Sequence, residues 1–235
     1  MQSDVTHLTL QDQLLTWFEK NKRQVMIGSV AVAVIAAIAG FYVWHQEQVQ
    51  TDASEALTKI TSPASAGGAP ATTDAILKVA ADFPGSEAAK RAILLAAGNY
   101  FAEGKYKEAQ AQFEKFLRDN RESAFAGQAL LGVASCKDAL GLTADAVTAY
   151  KDIVDHHGSD SIAPQARFAL GRLYETQGKL ELARDLYQQV AQTDPNGPLG
   201  NEAGMRMMEL ISKNPALLPA KPAMPSPSAL NIGKP

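Results

Sequence analysis

His156 and His157, flanked by Asp155 and Asp160, are the one cluster of metal-ligating side-chain types in this sequence. Imidazole and carboxylate are both zinc ligands. A metal, however, needs its ligands to converge, and adjacent residues point different ways. The expectation is a solvated turn and no metal site. Cys136 is the single cysteine, which excludes an intrachain disulfide and any cysteine-based zinc site. A lone thiol at helical spacing reads as a small buried hydrophobe. No G-x-S-x-G, H-E-x-x-H, phosphate-loop or complete dinucleotide-loop pattern is present. The expectation is therefore no catalytic residue, no cofactor, no small-molecule substrate and no enzyme. The net charge of −3, without clustered Lys or Arg, gives no footprint for nucleic acid.

What organises the rest of the chain is a period. A step of 37 residues carries Gly104 to Gly141 to Gly178, Ala109 to Ala146 to Ala183, and Phe113 to Tyr150 to Tyr187. The same step links Ala89, Ala126 and Ala163, then Ala92, Ala129 and Ala166. Ser86, Ser123 and Asp160 share a phase and are expected to cap the helices that follow. Each copy reads as a helical hairpin. The first helix closes at a left-handed glycine, and a second helix turns Tyr106, Ala109, Phe113 and Phe116 inward. The small alanine lets the two helices approach, and the aromatic four residues later fills the space beside it. One hairpin cannot bury its apolar face, whereas a stack can.

Leu170, Gly171, Tyr174, Gly178, Ala183, Tyr187 and Pro195 in the third copy resemble the signature of the tetratricopeptide repeat. The first copy keeps Ala97, Tyr100, Gly104, Ala109 and Phe113. The second has Lys137 in place of the aromatic and Gly158 in place of the proline. The period exceeds the family's usual length, and the surplus is expected in the turns between repeats. The resemblance implies an all-α solenoid of helical hairpins.

Residues 25–44, VMIGSVAVAVIAAIAGFYVW, carry no charge. Twenty helical residues span about 30 Å, the thickness of a bilayer core. The aromatic residues Phe41, Tyr42 and Trp44 at one end suit a membrane interface, and a cleavable leader would have a shorter apolar run. The chain is thus expected to meet lipid through residues 25–44. Lys20, Lys22 and Arg23 precede the run, and Glu47, Asp52 and Glu55 follow it. The positive-inside bias places the N-terminus in the cytoplasm and the large C-terminal part outside it.

The expected organisation follows. Residues 1–24 form a cytoplasmic amphipathic segment, lying in the interface or extending the span as its wet end, and 25–44 a transmembrane helix. Residues 45–72 form a membrane-proximal helix and flexible linker. The repeat domain covers 73–213, with copies at 86–122, 123–159 and 160–196 and a capping helix at 201–213. Residues 214–235 hold six prolines and read as a disordered tail.

In tetratricopeptide arrays the first helices line the concave face. The resemblance therefore implies a candidate partner-binding surface of Arg91, Leu94 and Phe101, then Gln128, Leu131, Ser135 and Asp138, then Gln165, Phe168, Arg172 and Glu175. Leu94, Leu131 and Phe168 share one phase, continued by Met205. This series either grips an apolar segment of a partner or packs between consecutive first helices. The layout of short N-terminal segment, single span and outer repeat domain resembles the ancillary subunit family of the SecYEG translocon, which implies a chaperone-linked interaction platform at a bacterial inner membrane. The repeat domain is also similar to that of the periplasmic cell-division coordinators, which implies an envelope scaffold instead.

Overall fold

A computed structural model describes residues 17, 20–62 and 71–218. The expected N-terminal amphipathic segment, most of the linker loop and most of the proline-rich tail lie outside those residues. Among the described residues, regular structure is entirely helical. Helix α1 is Lys22–Thr61, and α2 is Thr73–Asp82. Three hairpins follow: α3 Glu87–Ala102 with α4 Tyr106–Asp119, α5 Ala126–Ala139 with α6 Thr143–His156, and α7 Ala163–Thr176 with α8 Leu180–Thr193. Helix α9, Pro198–Lys213, closes the stack.

The 40 residues of α1 run without a break, about 60 Å at 1.5 Å per residue. No proline interrupts them, and Ser62, which precedes Pro63, is extended and ends the helix. The apolar part is long and apolar enough to cross a membrane, and none of its most apolar stretch is covered by protein. Met26, Val32, Ile35 and Phe41 are all more than half exposed on different sides of the helix.

The period fixes where the hairpins turn. Helices α4, α6 and α8 start and end at intervals of 37 residues. Gly104, Gly141 and Gly178 have φ of 75°, 74° and 71°. In the first turn Gly104 N donates to Phe101 O (3.0 Å) and Lys105 N to Tyr100 O (2.8 Å), the paired bonds of a Schellman cap, and the same bonds recur at Gly141 and Gly178. Alanine at 141 would sit in the left-handed region, so Gly141→Ala is expected to cost about 1–2 kcal/mol. Gly98 lies inside α3 with nothing within 4 Å of an added Cβ, so Gly98→Ala should instead stabilise by about 0.5–1 kcal/mol. Urea midpoints of the two variants should move in opposite directions; a common direction would contradict the turn assignment.

The surplus over the usual repeat length lies between the hairpins, at residues 120–125 and 157–162. These turns are two residues longer than the one at residues 83–86, and the extra length corrects the capping expectation. Of the three, only Ser86 caps, its Oγ accepting from Ala89 N at 3.0 Å. Helices α5 and α7 start three residues beyond Ser123 and Asp160, with Phe125 and Ile162 at their N-caps and no side-chain cap. The longer turns bring apolar groups to the joints instead. Ile162 is buried between the second and third repeats, and Phe125 packs on the cluster around Phe113 and Phe116. Gly158, which replaces a proline, lies where a Cβ would be 2.8 Å from Val154 O. Lys137, which replaces an aromatic, is paired through Leu142 N to its own carbonyl at 2.9 Å. In the flanking copies the corresponding pairs are Tyr100 with Lys105 and Tyr174 with Lys179, each lysine 5–6 Å from its ring.

Ala109, Ala146 and Ala183 are fully buried, and Phe113, Tyr150 and Tyr187 are buried beside them. Tyr187 presses on Gly171 and Phe113 on Gly132, at distances that leave no room for a Cβ. Helix α2 is in phase with the later second helices, Ile76 and Val79 taking the places of Phe113 and Phe116. Its partner is the C-terminal part of α1, through buried Ala53 and Leu57. The apolar helix is therefore continuous with the first helix of the stack. At the other end α9 begins at Pro198, where a proline at N1 loses no bond. The first residues of the expected tail are also ordered into the fold. Pro215–Leu217 form a 3₁₀ turn, Leu217 is buried beside Tyr187 and Val190, and Arg184 Nη1 donates to Leu217 O at 2.7 Å.

Candidate partner-binding face

The first helices α3, α5, α7 and α9 repeat one surface, because positions 37 residues apart occupy the same place on successive helices. Ten of the eleven candidate residues keep exposed or half-exposed surface there. Phe168 does not. It is 9% exposed, belongs to the cluster of Ala183, Tyr187, Val190 and Ala203, and its ring centroid lies 5.6 Å from that of Tyr187. Leu94 and Leu131 are half-buried against the clusters on either side of α5. The series thus packs between consecutive first helices, most completely at Phe168. Met205, whose helix is followed by no further α-helix among the described residues, is 65% exposed.

Two clefts indent this face. One, of about 430 Å³, is lined by Phe101 of α3, Ser135, Asp138 and Ala139 of α5, Tyr150 of α6, and Ala169 and Arg172 of α7. It brings together four candidate residues from three repeats. Arg172 Nη2 lies 3.6 Å from Asp138 Oδ2, both partly exposed, a pair worth at most about 1 kcal/mol. Both charges therefore remain open to a partner. Tyr150 forms the floor, its hydroxyl donating to Ser135 Oγ at 3.2 Å, and burial holds its pKa above the ordinary phenol value. The second cleft, about 420 Å³ and mostly apolar, joins α3 to α5 through Arg91, Leu94, Leu95, Gly98, Asn99 and Gln128, with Phe125 at its end. Arg91 lies over the Phe125 ring, 5.5 Å from its centroid.

Gln165 and Glu175 fall outside both clefts. Glu175 instead accepts from the Tyr187 hydroxyl at 2.9 Å, and burial, then that carboxylate, push the Tyr187 pKa up. Leu95, Gly98 and Ala169 were missed by sequence reasoning. Leu95 and Ala169 share a phase one position past Leu94 and Phe168, which is the sequence signal that could have found those two; at Gly132, between them in the same phase, the space is filled by the Phe113 ring.

The other reactive side chains are paired locally or buried. His156 Nδ1 lies 3.0 Å from Asp152 and His157 Nδ1 3.0 Å from Asp160, two separate exposed pairs. Cys136 is fully buried, and burial, then the Glu114 charge, raise its pKa to about 11. It is expected to resist maleimide in the native protein and to react on denaturation. Prompt native labelling would contradict the packing of α4 on α5.

A family model described as a tetratricopeptide repeat-like domain matches residues 16–198, taking in the apolar helix together with the three hairpins. Among solved structures, a tetratricopeptide repeat protein from Parabacteroides merdae is 13% identical, aligns over 71% of this chain and 61% of its own, and has a TM-score of 0.52. The likeness at that identity is one of fold. PcrH from Pseudomonas aeruginosa is 20% identical over 53% of this chain and 93% of its own, with a TM-score of 0.46. The type III secretion translocator chaperone SycD from Yersinia enterocolitica is 19% identical over 55% and 87%, with a TM-score of 0.47. No curated protein sequence matches.

Proposed function

This chain belongs to the tetratricopeptide repeat-like domain family, and from that premise we propose that it is a membrane-anchored platform that captures protein segments on the face built by its first helices. The observation that carries this reading is the row of two clefts across α3, α5 and α7, one apolar and one holding an open Arg172–Asp138 pair. An apolar pocket beside weakly paired charges suits a segment with an apolar side chain next to a charged one. Residues 25–44 hold the platform in the membrane, with the N-terminus in the cytoplasm and the repeats on the outer face of a bacterial inner membrane. Lys20, Lys22 and Arg23 before the span support that orientation. The resemblance to ancillary translocon subunits makes secreted chains that have not yet folded the partner class.

The test is site-specific photocrosslinking in native membranes. A photoreactive residue at Gly98 or Ser135 should give protein adducts, and one at Thr148, on the opposite side of a second helix, should not. Arg172→Glu should reduce the Ser135 adducts severalfold. Equal adducts from Thr148, or yields indifferent to Arg172, would remove the face from consideration.

A further inference from the structure

The join between α1 and the repeats places one edge of the stack at the membrane surface, given the anchored reading above. Trp44 ends the apolar run, and the Gln50 side chain, six residues later, accepts from Glu87 N at 3.0 Å. Six helical residues advance about 9 Å. The headgroup layer on each side of the hydrocarbon core is about 5–7 Å deep. The turn before α3 therefore stands at the outer edge of the headgroups. At the other end of α3, Asn99 Nδ2 reaches Ala71 O at 3.4 Å and Thr73 Oγ1 lies 3.5 Å from Glu103 Oε1, beyond the end of α1. Helix α3 accordingly runs parallel to α1, away from the membrane. Helix α4 returns, and its C-terminal end comes back to the membrane side.

Three cations meet there. Lys90 of α3, Arg118 at the end of α4 and Arg121 in the following turn line a cleft of about 450 Å³, together with Asp119, Asn120, Glu122 and Ser123. Lys90 pairs with Glu87 at 2.6 Å. Among the described residues no carboxylate lies within 4.0 Å of Arg118 or Arg121, and both side chains are exposed. Two unpaired guanidiniums on one rim offer forked donors that match phosphate oxygens.

We propose that this rim docks on the membrane, with Arg118 and Arg121, assisted by Lys90, holding the phosphates of anionic lipid headgroups. Glu87, Asp119 and Glu122 share the rim and keep its attraction for a free bilayer low. Because α1 already holds the rim at the surface, a weak contact suffices, the second binding event being intramolecular. Together the unbroken helix and this contact fix the angle at which the clefts face outward.

The experiment uses the full chain carrying Cys136→Ala, reconstituted in phosphatidylcholine vesicles with and without phosphatidylglycerol. A donor dye sits on Ala124→Cys, at the rim, or on Thr143→Cys, at the far end, and the acceptor on lipid headgroups. Energy transfer should be severalfold higher at position 124 than at 143 and should rise with phosphatidylglycerol. Arg118→Glu with Arg121→Glu should abolish that rise while the protein still floats with the vesicles. Equal transfer from the two positions, or a rise that survives charge reversal, would overturn lipid docking. A chain that fails to float would overturn the anchored reading and the docking with it.

Discussion

Phe168→Ser is expected to remove about 3–5 kcal/mol of stability, the range for deleting a large aromatic from a core. Its ring is 9% exposed and fills the joint between the third hairpin and the closing helix, against Tyr187 and Ala203. Leaving a hydroxyl in that space adds a desolvation cost. A domain with a total stability of about 5–15 kcal/mol would lose much of it. Leu94→Ser and Leu131→Ser, at the same phase but half-buried, should each cost clearly less. Thermal melts followed by circular dichroism would rank the three. Equal, small losses would mean that the whole series is an open groove.

The second large effect concerns the span. Nine residues between Val25 and Trp44 are Val, Ile or Phe, each favouring the bilayer by about 0.3–0.6 kcal/mol near its centre. An arginine there opposes insertion by about 2.5–3.5 kcal/mol. Val34→Arg combined with Ile38→Arg leaves seven of the nine and therefore outweighs their combined preference. The double variant is expected in the soluble fraction after alkaline extraction, whereas the parent chain stays with the lipid. A double variant that still resists extraction would show that the apolar run is not what holds the chain there.

The hairpins were readable in the sequence because their geometry rests on residues with few substitutes. A left-handed turn favours glycine, so Gly104, Gly141 and Gly178 keep their spacing. A close helix crossing needs alanine, so Ala109, Ala146 and Ala183 keep theirs. The helix starts were less readable. Ser123 and Asp160 match Ser86 in phase, but the longer turns after them substitute apolar burial by Phe125 and Ile162 for a polar cap. The beginning of the tail was misread for a related reason: proline-rich composition concealed Leu217, whose burial depends on Tyr187 and Val190, distant in sequence. On the candidate face, phase places equivalent positions on successive first helices. It could not separate exposed positions from packed ones, because exposure depends on the size of neighbours on adjacent helices. Phe168 is packed for that reason, and Leu95, one position past the series, is open at 44% exposure.

Amide hydrogen exchange on the full chain in lipid nanodiscs tests the repeated stack on a membrane stem most directly. The expected pattern has slow exchange in the interiors of α4, α6 and α8, fast exchange at their uncapped first amides, residues 106–108, 143–145 and 180–182, and protection of residues 25–44 that is lost when the lipid is removed and the chain is denatured. Protection running unbroken through those helix starts, or residues 25–44 exchanging freely in lipid, would contradict the account.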